Sequence, residues 1–319
     1  MRTCVQEMGQ AAGVVAVGDA ASRATAIGSV AREVLTARTA QGAVVAVLAN
    51  AVYLTTDAGE VVWACTGHSI PHRRYLHVPG GLEGVRPGER FVADGGVVRV
   101  GAHRVDLRAA RLWCPPAVAP ASGVDPAAVR ERFAAVANRV RATTGGARDG
   151  VFLRHVIGLP LDGVADRVDR LFVRAACAVA GRVRTACRAG DLASLLTAGR
   201  GLVGLGPGFT PAGDDYLGGL LFTLHQLDRA LVGARCWDGR QVAGFLSGVR
   251  GRTGAVSHAL LSDLAYGHGP GPLHELVAGL VAPAGRTELT TALRDLGQLG
   301  HSSGRDLVAG VLSAAWWPA

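Results

Sequence analysis

Two stretches of this chain bring carboxylates and hydroxyls to the entrance of a helix, where they could do chemistry. In GLGPGFTPAGDD, residues 204–215, glycines recur at every second position and a Thr210-Pro211 step leads into Asp214 and Asp215. Thr210 is expected as N-cap and Pro211 as the first helical residue. The free amides of that first turn and the positive end of the helix dipole favour an anion such as phosphate or carboxylate. Gly206 and Gly208 let backbone N–H groups approach it with no Cβ in the way. Successive helix residues point roughly 100° apart, so only one of Asp214 and Asp215 faces the same site. That one could hold a divalent cation such as Mg2+, orient an amide or ammonium group, or act as a base. Gly218 and Gly219 leave room for another helix to pack closely. A plainer account explains the stretch equally well: a loop of positive-φ glycines, with two aspartates that suit the dipole.

The second stretch is Gly300-His301-Ser302-Ser303-Gly304-Arg305-Asp306. Its first five residues satisfy G-x-S-x-G, the nucleophile elbow of serine hydrolases, which needs a strand before it and a helix after it. TELTTALRDLGQLG precedes it and has helical period, so the hydrolase reading is a minor one. The better local account makes Ser303 the N-cap and Asp306 the N3 partner of a capping box. His301 and Ser302 are then free to bond a ligand. Arg252-Thr253-Gly254-Ala255-Val256-Ser257-His258 again puts hydroxyls near a helix start, although an ordinary cap explains it by itself. His68 and His72 are four apart, but Pro71 between them makes a shared helical face, and so a metal site, implausible.

Composition narrows the chemistry. All 33 Lys+Arg residues are arginine, which excludes a lysine Schiff base to pyridoxal phosphate and a Walker-type nucleotide site. Arginine as the sole fixed cation suits bidentate recognition of a small anion. A formal net charge of +8 might suggest nucleic acid, but the arginines are spread out and no basic run is interleaved with stacking aromatics. The six cysteines show no metal-ligand spacing. No apolar run is long enough to span a membrane, and the N-terminus lacks a signal-peptide layout, so a cytoplasmic location is expected.

The elements that must position these residues divide into two regions, and 319 residues suit two domains. From about Gly42 to Trp113, short apolar runs are broken by turn residues, and Asp94-Gly95-Gly96 marks a hairpin. Residues 114–123 carry linker punctuation. Asp125-Pro126 then opens a helix, a long helix follows over 164–190, Asp191 opens a short one, and further helices are expected at 213–231, 239–249, 254–266, 287–298 and 304–315. The expectation is α+β: a β-rich domain at 1–120, barrel-like or sandwich, followed by a mainly α-helical domain at 121–319.

GLGPGFTPAGDDYLGGLL, RTGAVSHALLSDLAYG and GHSSGRDLVAG, in this order, resemble the AllH-like family, typified by a subunit of oxamate carbamoyltransferase in bacterial purine catabolism. The likeness covers about residues 185–312 and is looser in the β-rich half. It implies carbamoyl transfer between carbamoyl phosphate and an acceptor amide, in a complex of several unlike subunits. Carried over, Asp214, Asp215, His301 and Ser302 are the catalytic candidates. Gly206, Gly208, Thr210, Gly213, Thr253, Ser257, Ser303, Gly304 and Asp306 are the substrate-binding ones. Arg305 stands where the family has an aromatic residue, and the added guanidinium suits a more anionic ligand. The alternatives are a non-catalytic binding subunit or a stand-alone lyase or cyclase of specialised metabolism.

Overall fold

A computed structural model describes residues 22–37, 39–67, 70–116, 124–145, 149–161, 170–231, 236–282 and 286–318. His68 and most of the linker stretch, 117–123, lie outside the described residues. The β-rich part forms one sheet whose strand order is β1-β9-β8-β7-β3-β4-β5-β6-β2-β10. Its centre is a meander of β3 (Ala40–Leu48), β4 (Ala51–Thr56) and β5 (Val61–Cys65), flanked by β7 (Arg90–Asp94), β8 (Val97–Val100) and β9 (His103–Asp106). The expected hairpin joins β7 to β8, with Gly95 and Gly96 both at positive φ (54° and 77°), as a tight two-residue turn requires.

The sheet curls because one short segment serves both of its ends. Strand β1 (Ser22–Arg23) runs parallel to β9, whereas β2 (Ala26–Gly28), three residues later, pairs with β6 (Tyr75–His77) and β10 (Arg111–Trp113). Between them Ala24 N–H donates to Asp106 and Thr25 N–H to His77. Of the two expectations for this half, the barrel-like one holds. Inward-pointing Val44, Leu54, Val62, Leu76, Phe91, Val98 and Val105 fill the interior, and helix α1 (Ser29–Thr36) adds Ala31 and Leu35.

Strand β5 is buried at all five positions, which explains why EVVWACT shows no alternation. Val62 and Ala64 face the barrel interior. On the other face, Trp63 and Cys65 join Tyr75 in a separate cluster that packs against Leu260 of the helical part. Arg74 fastens the same contact by a bidentate pair with Asp263, Nε to Oδ2 at 2.6 Å and Nη2 to Oδ1 at 3.0 Å.

The helical part comprises α2 (Pro126–Thr143), α3 (Val151–Val156), α4 (Arg170–Ala189), α5 (Leu192–Gly199), α6 (Ala212–Ala230), α7 (Gly239–Val249), α8 (Ala255–Ala265), α9 (Gly271–Val281), α10 (Arg286–Leu296) and α11 (Ser303–Ser313). Asp125 and Asp191 cap α2 and α5 as expected, accepting from Ala127 N–H (2.9 Å) and Ser194 N–H (3.0 Å). Helix α9 was not expected from sequence. It is apolar on nearly every side and buried, so it carries no amphipathic stripe.

Helix α6 lies at the centre, buried along almost its whole length, and crosses α11 at backbone contact. A methyl group on Gly219 would strike the Leu307 carbonyl, and one on Gly310 would strike the Tyr216 carbonyl and the Leu220 amide. Gly310→Val is therefore expected to cost at least about 3 kcal/mol in urea unfolding. Gly244→Ala is the control: its added methyl meets nothing within 4 Å, and removing a helix-interior glycine should stabilise by roughly 0.5–1 kcal/mol.

Burial at the contact between the two parts sets an acid limit. The His72 ring packs tilted against Trp63, with ring centres 4.8 Å apart, and burial pushes its pKa down from 6.5 to about 4, with Asp263 opposing and Arg74, Arg73 and His274 adding to the shift. The folded state therefore holds the neutral imidazole. Its contribution is complete above pH 6.5 and is lost as pH falls toward 4, amounting to about 3 kcal/mol for this one group. Unfolding free energy measured between pH 7 and 4.5 should fall less steeply for His72→Asn than for the wild type.

Candidate functional site

The two stretches singled out in the sequence meet in space. The Thr210 and Ser303 hydroxyls, at the entrances of α6 and α11, are 3.1 Å apart. Both helices begin differently from expectation. Helix α6 starts at Ala212 with Pro211 in the N-cap position, and the Thr210 hydroxyl donates instead to Asp215 Oδ2 (3.0 Å). Helix α11 starts at Ser303 with Ser302 as N-cap and no side-chain cap bond, so the capping box does not form. Asp306 falls one position too late and is drawn into the core.

The adjacent aspartates have different partners, as their angular separation requires. Asp214 Oδ1 accepts from Gly204 N–H (2.7 Å), and its Oδ2 accepts from the Thr253 (2.5 Å) and Ser257 (2.6 Å) hydroxyls. This carboxylate ties the glycine loop, the start of α6 and the start of α8 together. Thr253 and Ser257 thus spend their protons on Asp214. Asp215 turns toward α11, where Thr210 and Ser303 donate to it; burial nevertheless pushes its pKa up to about 7, with the Asp214 charge adding.

Asp306, one helical turn beyond Ser303 on the same face of α11, is 0% exposed. Neither of its oxygens meets a protein donor with normal hydrogen-bond geometry. Burial, followed by the charge of Asp215, holds its carboxyl well above the ordinary range, with nearby Ser302 acting the other way. Gly150 lies against this carboxylate, and a side chain there would collide with Oδ1.

The sheet supplies one wall. The Tyr53 ring lies 4.8 Å from Phe209, which is 41% exposed in the glycine loop. Burial pushes the Tyr53 hydroxyl up to about 12, with the charges of Cys65 and Asp215 contributing. Sequence reasoning did not single out Tyr53. The alternation in AVYLTT was a usable signal, since it puts Tyr53 on the face opposite the buried Val52 and Leu54.

The remaining residues are placed as follows. Gly206 and Gly208 have φ of 108° and 112°, and the amides of Gly206, Gly208, Phe209 and Thr210 donate to no protein acceptor among the described residues. Gly213 and Gly304 are packing positions, pressed against the carbonyls of Leu202 and Leu296. His301 is exposed and Ser302 half-buried. Helix α10 precedes the G-x-S-x-G sequence where a hydrolase elbow needs a strand. Arg305 points away from Asp215: it pairs with buried Asp149 and lines a cavity of about 340 Å³ with Arg139 and Arg294. Its guanidinium therefore does not supplement the Thr210–Ser303 junction.

Residues 202–315 match the family model described as oxamate carbamoyltransferase subunit AllH. The AllH match runs from the glycine loop through α11, so it contains both aspartates, Thr253, Ser257 and the α11 entrance. The sheet and α2–α5 lie outside it. No curated protein and no solved structure matches the chain. Among the described residues, no helix is long and apolar enough to cross a membrane, and no group of three or more His, Cys, Asp and Glu side chains is placed to hold a metal.

The two aspartates should separate experimentally. Asp214→Ala strands a buried serine and a loop amide and is expected to cost roughly 3–5 kcal/mol. Asp215→Asn keeps an acceptor for Thr210 and removes a buried charge, so it should change stability by less than about 1 kcal/mol. Urea denaturation at pH 8 checks the order of the two.

Proposed function

We propose that this chain is a subunit of a carbamoyl-transferring enzyme whose small anionic substrate binds at the junction of α6 and α11. The substrate class is carbamoyl phosphate, phosphate or an oxamate-like acid. The observation that carries the reading is the Thr210–Ser303 contact, which brings two helix N-termini to one point beside Asp215. Free amides at Gly206, Gly208 and Phe209 and the two helix dipoles favour negative charge there. Preorganised donors of this kind stabilise charge that develops during acyl or phosphoryl transfer, and no covalent intermediate is needed. Asp215 is the aspartate available to the reaction, because Asp214 is saturated by its three partners.

The matched family is described as a subunit, which favours one second reading: this chain binds the ligand and unlike chains complete the reaction. Turnover that appears only when unlike subunits are added would select it.

Calorimetry of the full chain with phosphate, carbamoyl phosphate and oxamate tests the site. At least one should bind, and Ser303→Ala should weaken it about tenfold, or 1.4 kcal/mol. A wild-type chain that binds none of the three removes the proposal.

A further inference from the structure

We infer that the carboxylates of Asp215 and Asp306, with the hydroxyls of Ser303 and Thr210, hold a divalent metal cation of the magnesium type. This rests on the α6–α11 junction being the functional site and adds what that site needs to accept an anion.

The argument starts from charge. Asp214, Asp215 and Asp306 lie on two crossing helices, all buried, at 2%, 8% and 0% exposure. Asp214 is satisfied by three neutral donors. Among the described residues, no arginine or histidine forms an ion pair with Asp215 or Asp306. Arg305, the cation next to Asp306 in sequence, pairs with Asp149 instead.

Asp306 is the independent sign of a ligand. It comes from a different helix than the Asp214-Asp215 pair, is completely buried, and presents two oxygens that no protein donor meets with normal hydrogen-bond geometry. Ser303 and Asp306, three residues apart, share the face of α11 that meets α6, where Ser303 bonds Thr210 and Asp215. The helix N-termini favour these charges, but by at most about 2 kcal/mol each. Burying an unpaired carboxylate costs several kcal/mol even after relaxation, more than the dipoles offset, so such a group is charged beside a cation and otherwise keeps its proton.

The donor set fixes the type of ion. It is all oxygen, two carboxylates and two hydroxyls, which suits a hard cation and not zinc or copper. Magnesium is commonly held by one or two carboxylates, with the remaining positions left to water and substrate phosphate. A cation here would neutralise the acid pair and offer open positions to the anion drawn by the glycine loop.

Binding of Mn2+ to the full chain, followed by electron paramagnetic resonance at pH 7.5 with Mg2+ as competitor, tests this. The expected result is one Mn2+ per chain, displaced by Mg2+. Asp215→Asn and Asp306→Asn should each weaken binding at least tenfold, Ser303→Ala less, and the surface variant Asp57→Asn not at all. Thermal melts of every variant keep loss of fold separate from loss of the ion. A folded wild type that takes up no Mn2+, or undiminished binding in both folded carboxylate variants, overturns the inference. Anion binding without Mn2+ uptake would sink the cation and leave the proposed function standing. Mn2+ uptake with no binding of phosphate, carbamoyl phosphate or oxamate would do the reverse.

Discussion

The backbone contact between α6 and α11 is the constraint from which the site follows. Gly219 and Gly310 remove the side chains that would hold the two helices apart, so the carbonyls of Leu307 and Tyr216 come against the facing helix. Helices normally pack with axes 8–10 Å apart, set by the side chains between them. Glycine at both positions sets the lower end of that range. The crossing lies one to two turns from each N-terminus, so it also decides how closely the two entrances approach. The contact of Thr210 with Ser303 and the burial of Asp215 and Asp306 depend on that closeness.

The β-rich part contributes by docking, not by supplying acid or base groups. Strand β5 is clad on both faces, with one side in the barrel and the other against α8, and the Arg74–Asp263 pair, at the start of the neighbouring β6, ties the sheet to α8. Tyr53, one strand over, is thereby carried to the glycine loop, where its ring meets Phe209. A buried ion pair adds little net stability compared with apolar packing, but its geometry is directional. Direction is what the placement of Tyr53 needs.

Much of the fold was legible in the sequence, because turn chemistry and helix starts are local. Asp94-Gly95-Gly96 marks its hairpin, and Asp125 and Asp191 mark their helices. The region of the candidate site was legible in one respect: Thr210 and Asp215 at the end of the glycine loop do meet Ser303. What the sequence could not convey was the competition among partners. Thr210 looks like a cap until a carboxylate five residues on takes its hydroxyl. Asp306 looks like half of a capping box until close packing against α6 and Gly150 draws it inward. Helix α9 escaped notice because complete burial leaves no polar face to mark its period. Tyr53 was visible only as one of two alternating faces, and which face meets the helical part is decided by residues far along the chain, Phe209 among them.

The segment at residues 22–28 also bears on how the molecule assembles. Strands β3, β4 and β5, and likewise β7, β8 and β9, pair with near neighbours and can zip through short hairpins. The pairings of β1 with β9 and β2 with β10 instead join residues at opposite ends of the barrel sequence. Such long-range contacts carry the largest chain-entropy cost and form slowly. Until they form, the curled sheet has two open edges, each a template for another strand. The curled sheet is therefore most exposed to mispairing before the segment at residues 22–28 joins its two ends.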